Sequence, residues 1–347
     1  MSQGARELLV IGYEGTAVPD ELLDSIANSV LGGVILFARN LGSVEETAAA
    51  VTALGKAAPP GPPLIVTLDQ EGGRVQRLKE PPYTRWPPMR RVGVRGDEAL
   101  TEQVGRAMGE ELRAVGFNVD LAPVLDVDTN PKNPVIGDRA FSSDPAEVAR
   151  QGLAFWRGLE SAGVRGCGKH FPGHGDTLQD SHLELPRLDA PWERLEKVEL
   201  LPFAAAARAG VPMIMTAHVV FSAVDSRPAT LSAAWIQGIL RQRLGYTGVV
   251  VSDDLDMQAV AGQFSVEEVI REGLAAGVDL FLACRNQERQ RAAAAALDEA
   301  ARDARLGPRV EEALARVRAF RATLRPAAPD PAMKLPRLEH QQLAATF

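Results

Sequence analysis

The segment KHFPGHGDTLQDSH, Lys169 to His182, holds three of the chain's five histidines within fourteen residues. Pro172, Gly173 and Gly175 interrupt any regular helix, so the segment reads as a shaped, exposed loop. Two chemistries can use such a cluster. His, Asp and His side chains on one face can hold zinc, but the helical HExxH pair is absent and no cysteine supports a structural site. The other chemistry is proton transfer. Asp180 stands two residues before His182, so its carboxylate can orient and charge-support the imidazole. A histidine supported in this way titrates near neutral pH and can both give and take a proton. No serine sits in a GxSxG elbow, so serine-hydrolase chemistry has no support.

The partner for such an acid/base is a carboxylate in VVVSDD, Val249 to Asp254. An aspartate emerging from a buried strand can attack an electrophilic centre such as an anomeric carbon. It also places negative charge beside an oxocarbenium-like transition state. DDLDMQAV could equally start a helix, with one of the two aspartates as its cap. We read Asp253 as the reacting group and Asp254 as structural.

Eight short apolar runs would position these groups: Leu8 to Gly12, Gly33 to Phe37, Leu64 to Leu68, Asn118 to Ala122, Arg165 to Lys169, Met213 to Ala217, Val249 to Ser252 and Asp279 to Ala283. Several are continuously apolar and β-branched, as expected of parallel strands buried on both faces. Helical patterns separate them: Asp97 to Val115, Asp144 to Ala162, Pro191 to Ala209, Ser232 to Leu244 and Ser265 to Ala276. Each is followed at once by a glycine stop. The serial strand–helix rhythm predicts an α/β fold, a (β/α)8 TIM-type barrel in a single domain. A doubly wound sheet fits less well, because the polar residues follow strand ends all along the chain. Asp69, Asp126, Asp128, Lys169, His170, His218 and Asp253 all lie at such ends. No GxGxxG follows the first strand. The barrel is expected over residues 1–325, including a helix from Val310 to Leu324. Residues 326–347, rich in proline, read as a C-terminal tail, surface-draped or partly disordered.

The 347 residues are 46% hydrophobic, ample for a sizeable core, and the formal net charge is −7. An acidic chain with scattered Lys and Arg does not suit nucleic acid, whose phosphates need a concentrated basic surface. No run is long and apolar enough to span a bilayer, and the N-terminus lacks the pattern of a secretory signal. A cytoplasmic location is therefore expected. Cys167 and Cys284 lie in apolar runs and read as packing residues.

The paired segments KHFPGHGDTLQDSH and GVVVSDDLDM resemble family 3 glycoside hydrolases of the bacterial β-N-acetylglucosaminidase branch. So do LDQEGGRVQRL, NVDLAPVLDV and GDRAFSSDP. The likeness covers roughly residues 8 to 324. It implies Asp253 as nucleophile, His182 as acid/base and Asp180 as its partner. It implies sugar-hydroxyl contacts from Asp69, Arg77, Arg139, Lys169 and His170. His174 and Asp176 would shape the loop, and His218 would either support a neighbour or touch substrate. Larger relatives carry a further α/β domain with an acidic acid/base; this chain is too short for it. The single-domain form is similar to enzymes that take N-acetylglucosamine from 1,6-anhydro-muramoyl fragments in cell-wall recycling. The expected partner is thus a small carbohydrate or muropeptide, with no metal or organic cofactor implied. A phosphorylase on the same frame and a silent sugar-binding barrel are the rival readings.

Overall fold

The computed structural model describes residues 4–29, 31–181 and 183–347. Eight parallel strands close on themselves: β1 (Leu9–Ile11), β2 (Gly33–Ile35), β3 (Ile65–Leu68), β4 (Val119–Asp120), β5 (Arg165–Phe171), β6 (Met213–Thr216), β7 (Val249–Asp254) and β8 (Leu280–Ala283). Their order round the barrel follows the chain, and β8 closes on β1 with Leu9 opposite Phe281 and Val10 opposite Leu282. All eight expected strands are present. β3, β6 and β8 are buried at every position, because one face fills the barrel and the other meets the helices.

One principal helix follows each strand: α1 (Asp20–Ser29), α2 (Val44–Ala57), α3 (Glu98–Val115), α4 (Pro145–Ser161), α5 (Leu200–Ala209), α6 (Ala234–Arg243), α7 (Val266–Ala276) and α8 (Gln287–Arg302). The starts follow capping chemistry. Asp97 accepts the Leu100 amide at the head of α3. Asp144 accepts the Ala146 and Glu147 amides, with Pro145 in the first turn of α4. Ser265 and Glu268 form a reciprocal capping box on α7.

Two helices depart from expectation. Residues 191–209 do not form one helix; they break into Trp192–Lys197 and α5. Pro202 explains the break: its ring clashes with the carbonyl four residues back, at Val198, and it has no amide to donate there. The helix expected from Ser232 is α6, wound wider than an α-helix and closed by Leu244 N donating to the Ile239 carbonyl, five residues back.

A further helix, α9 (Gly307–Arg321), packs against α8 and the start of the chain. Residues 326–347 then run along the barrel wall to a short helix, α10 (Leu338–Ala344). Ala327 is buried, and the Arg113 guanidinium at the end of α3 donates to the carbonyls of Pro326 and Ala328. Gly116 has φ +99°, and a Cβ there would lie 2.7 Å from the Ala328 carbonyl carbon. Only glycine lets α3 stop in that conformation and the later chain pass so close.

Removing the cap of α4 tests this account of the fold. Asp144→Ala should lower stability by about 1 kcal/mol, read as a lower urea midpoint with an unchanged slope.

Candidate active site

The strand C-termini surround a pocket of about 190 Å³ lined by the ends of β2, β5, β6, β7 and β8 and by the segments after β3, β4 and β5. One wall is an ion network. Lys169, at 2% exposure on β5, sets its ammonium 2.8 Å from Asp69 Oδ1 and 2.6 Å from Glu71 Oε1. Arg77 Nη2 donates to the other Asp69 oxygen at 2.8 Å. Arg139 grips Glu71 with two parallel bonds of 2.8 Å. Three cations therefore interlock with two carboxylates. Each bond is charge-assisted, which holds the groups in fixed directions.

Burial alone would raise both carboxyls, but the cations outweigh it. Lys169 and Arg77 hold Asp69 far below the usual carboxylate range. Arg139 and Lys169 bring Glu71 down to about 2. In turn the two carboxylates overcome the desolvation of Lys169 and raise its ammonium, so it stays charged. Asp120, at the end of β4 beneath them, behaves in the opposite way. Burial pushes its carboxyl well above the ordinary value, although its Oδ1 accepts the Gln70 amide at 2.9 Å.

Asp69 and Glu71 owe their positions to a small hairpin that follows β3. Gln70–Gly72 pairs antiparallel with Val75–Gln76. The buried Gln70 carboxamide accepts the amides of Arg77 and Leu78 and donates to the Leu78 carbonyl. The hairpin thus carries Asp69, Glu71 and Arg77 as one unit.

The second wall is built on Asp126. It is fully buried, accepts the amides of His170 and His174, and lies 2.7 Å from His170 Nδ1. Burial would raise it, yet His170 keeps it below the ordinary value. Nδ1–H therefore donates to Asp126, which turns the other edge of the His170 ring away from it and fixes the tautomer. His174 is buried, and burial lowers it to about 4, so it is neutral near pH 7. Its Nδ1 lies 2.8 Å from Thr177 Oγ1 and its Nε2 2.9 Å from Ser181 Oγ. The Ser181 carbonyl accepts the Ala259 amide. Asp176 meets Thr129 and Arg194. At Gly175 a Cβ would fall 1.8 Å from the Val127 carbonyl oxygen, so the loop lies directly on the segment after β4.

Asp253 ends β7 and lines the pocket, with its Oδ1 accepting the Asp254 amide at 2.8 Å. Asp254 caps no helix. It accepts the amides of Asp256 and Cys284 and so ties β7 to β8. The next helical turn, Gln258–Ala261, has Met257 at its cap with no side-chain bond. Burial, with Asp256 adding to it, pushes Asp254 up to about 6. His218 is wholly buried beneath them. Its Nε2 faces the Asp254 carbonyl at 3.2 Å, an acceptor only, so Nε2–H donates and Nδ1 faces the Thr230 hydroxyl at 2.8 Å. Both ring nitrogens are thereby engaged, and His218 supports the strand end.

The structure therefore gathers Asp69, Arg77, Arg139, Lys169, His170 and Asp253 round one pocket. Asp180 lies half-buried on the loop, its carbonyl accepting the amides of Leu183 and Glu184. His182, the expected acid/base, lies outside the described residues. Sequence reasoning passed over Glu71, the hub between Lys169 and Arg139, and gave Asp126 no role. Glu71 had a signal: an acidic residue two past Asp69, just before a glycine pair, in a segment already marked by its charges. Among the described residues no group of three or more His, Cys, Asp or Glu side chains is arranged to hold a metal. Cys167 and Cys284 are both buried thiols, and burial raises them. No described helix is long and apolar enough to cross a membrane.

A closed barrel with charged, hydrogen-bonding groups at its strand C-termini defines a (β/α)8 enzyme. The chain belongs to glycosyl hydrolase family 3: the family's N-terminal domain matches residues 5–320. It is a glycoside hydrolase. It is 40% identical over 288 residues to the beta-hexosaminidase of Thiobacillus denitrificans, covering 81% of this chain and 79% of that protein. A family 3 beta-N-acetylglucosaminidase from a Paenibacillus strain superposes with a TM-score of 0.91 at 38% identity, over 99% of this chain and 67% of that one. NagZ from Neisseria gonorrhoeae, solved with N-trifluoroacetyl-D-glucosamine, gives a TM-score of 0.78 at 32% identity, over 100% of this chain and 98% of that one.

The Glu71 linkage has a definite sign. Its folded value of about 2 lies below its ordinary 4.5, so its ionisation stabilises the fold above pH 4.5. That stability is lost as pH falls from 4.5 through 2. Glu71→Gln, which leaves two buried cations short of a partner, should be less stable by about 3 kcal/mol at neutral pH. The gap to wild type should shrink as pH falls through this window, read by melting temperature against pH.

Proposed function

We propose that this enzyme is a retaining exo-β-N-acetylglucosaminidase. It would release terminal β-linked N-acetylglucosamine, with 1,6-anhydro-muramoyl fragments of peptidoglycan as the substrate class and the cytoplasm as the place of action. The observation that carries the reading is Asp253 opening into a pocket walled by Asp69, Arg77, Lys169, Arg139 and His170. A carboxylate and cations held in fixed directions suit a neutral polyol, whose adjacent hydroxyls both donate and accept. Names borne by similar proteins, beta-hexosaminidase and beta-N-acetylglucosaminidase, supply the sugar.

In the first step an Asp253 oxygen forms a bond to the anomeric carbon as the glycosidic bond breaks. The electron pair goes to the leaving oxygen, which takes a proton from His182. In the second step water attacks the same carbon and gives its proton back to His182. The bond to Asp253 breaks and its carboxylate is restored. Two inversions give net retention. Asp180 holds the His182 ring and supports its charge. The anchoring of Ser181 at its hydroxyl and its carbonyl supports this role, because it fixes the chain beside His182. In the same reading residues 1–325 are the catalytic barrel and 326–347 a segment packed on it.

A slow 2-fluoro or 5-fluoro sugar followed by peptide mapping should place the label on Asp253. Label on Asp254, or inverted product, would overturn the assignment. His182→Ala should cut turnover of substrates with poor leaving groups by about 10²–10⁴-fold. It should spare glycosylation from an activated aryl glycoside; an equal loss on both sinks the acid role. With phosphate present, free sugar should remain the dominant product, and sugar-1-phosphate in its place would make the enzyme a phosphorylase.

A further inference from the structure

The last residues of the chain reach the sugar-binding wall through a buried polar chain. His340, on α10, is 3% exposed, and its ring lies 6.2 Å from that of Trp86. Each of its nitrogens meets a carboxylate of α3: Nδ1 lies 3.1 Å from Glu111 and Nε2 3.1 Å from Glu110. Arg337 adds a 2.6 Å bond to Glu110. Glu111 is itself buried and uses its two oxygens on the amide of Thr84, at 3.3 and 3.1 Å. The Thr84 carbonyl accepts Gln76 Nε2 at 2.7 Å, and Gln76 Oε1 accepts the Trp86 amide at 3.0 Å. Gln76 Nε2 also donates to the Leu78 carbonyl, which the Gln70 carboxamide holds together with the amides of Arg77 and Leu78. His340, Glu111, Thr84, Gln76 and Gln70 are all buried.

We propose that His340 is a positioning residue for the sugar site: it fixes Glu111, and Glu111 fixes the Thr84–Trp86 strap that braces the hairpin carrying Asp69, Glu71 and Arg77. The physical reason is the cost of leaving a buried carboxylate short of a partner. Glu111 lies among apolar side chains of α3, and the Thr84 amide alone offers it one donor. Without the imidazole the carboxylate must turn toward solvent or draw in water, and either move releases the Thr84 amide. The hairpin then loses its support on the side away from the pocket. His340 touches no substrate, so the effect falls on binding geometry and leaves Asp253 untouched.

The catalytic form of this inference rests on the sugar-site reading above; the structural form does not. The test uses the full chain with His340→Ala, and His340→Gln alongside as a milder variant that keeps one donor. On an aryl N-acetyl-β-glucosaminide, KM should rise about threefold to tenfold in His340→Ala, and less in His340→Gln, with kcat within about twofold. Partial unfolding would instead lower apparent kcat and leave KM alone, and that outcome would overturn the proposal. Hydrogen exchange of the amides at Arg77, Leu78, Thr84 and Trp86 is the second readout. It should quicken in both variants well before global unfolding. Unchanged exchange at these amides would also overturn the proposal. Should the wild type leave the aryl glycoside intact, the sugar reading fails by itself, and the exchange result still decides whether His340 braces the hairpin.

Discussion

The Lys169 ammonium lies between Asp69 and Glu71 in the mouth of the barrel, nearly out of reach of water. Taking such a charge from water costs several kcal/mol unless it is met by well-placed opposite charges. Glu71 in turn needs Arg139, and Asp69 needs Arg77. Removing either carboxylate would leave buried cations short of a partner. The segments after β3 and β4 are therefore locked to each other and to β5 by ion pairs. Asp120 completes the arrangement from below. Burial pushes its carboxyl in the neutral direction, and the neighbouring charges of Asp69 and Glu71 add to that push.

This lock has a use beyond stability. Groups held by ion pairs cannot swing to follow a ligand, so a pocket walled by them is organised before anything binds. Little conformational freedom remains to be lost on association. His170 is fixed on the same principle by Asp126, which also gathers the His174 amide and so starts the loop that leads to His182. The neutral His174 then holds Thr177 and Ser181, one on each ring nitrogen. One buried carboxylate thus sets both a pocket wall and the root of the loop that follows β5.

How much of this was legible in the sequence depends on which force acts locally. The strands were plain because continuous apolar runs such as LIVTL and VVVS leave little choice of environment. Asp144–Pro145 and Ser265 announced their helix starts through capping chemistry that operates within a single turn. The break before α5 turned on Pro202, and the wide winding of α6 carried no sequence mark. The candidate site residues stood out as polar groups directly after strands. Glu71 and Asp126 did not receive their weight, because a hub is defined by its partners, and those lie 68 and 44 residues away in the chain. His340 is the extreme case: it meets Glu111 across 229 residues, and nothing in a proline-rich ending announces it.

The two adjacent aspartates of β7 show how local hydrogen bonding divides labour between like groups. Both line the pocket, but the Asp254 carboxylate is taken up by the backbone amides of Asp256 and Cys284. The Asp254 backbone is held from the other side by His218. The nucleophile candidate therefore stands on a strand end fixed at three points, none of which uses its own side chain. A group that must form and break a bond to carbon benefits from such fixed support, because misplacement by an ångström costs orders of magnitude in rate. The proposed acid/base is under a different demand. On that proposal it must serve first the leaving group and then water. A loop rooted on His174 and Ser181 meets that demand where a strand end would not. In the proposed mechanism, the contrast between a nucleophile on a strand end and an acid/base on a loop follows from the two steps each must serve.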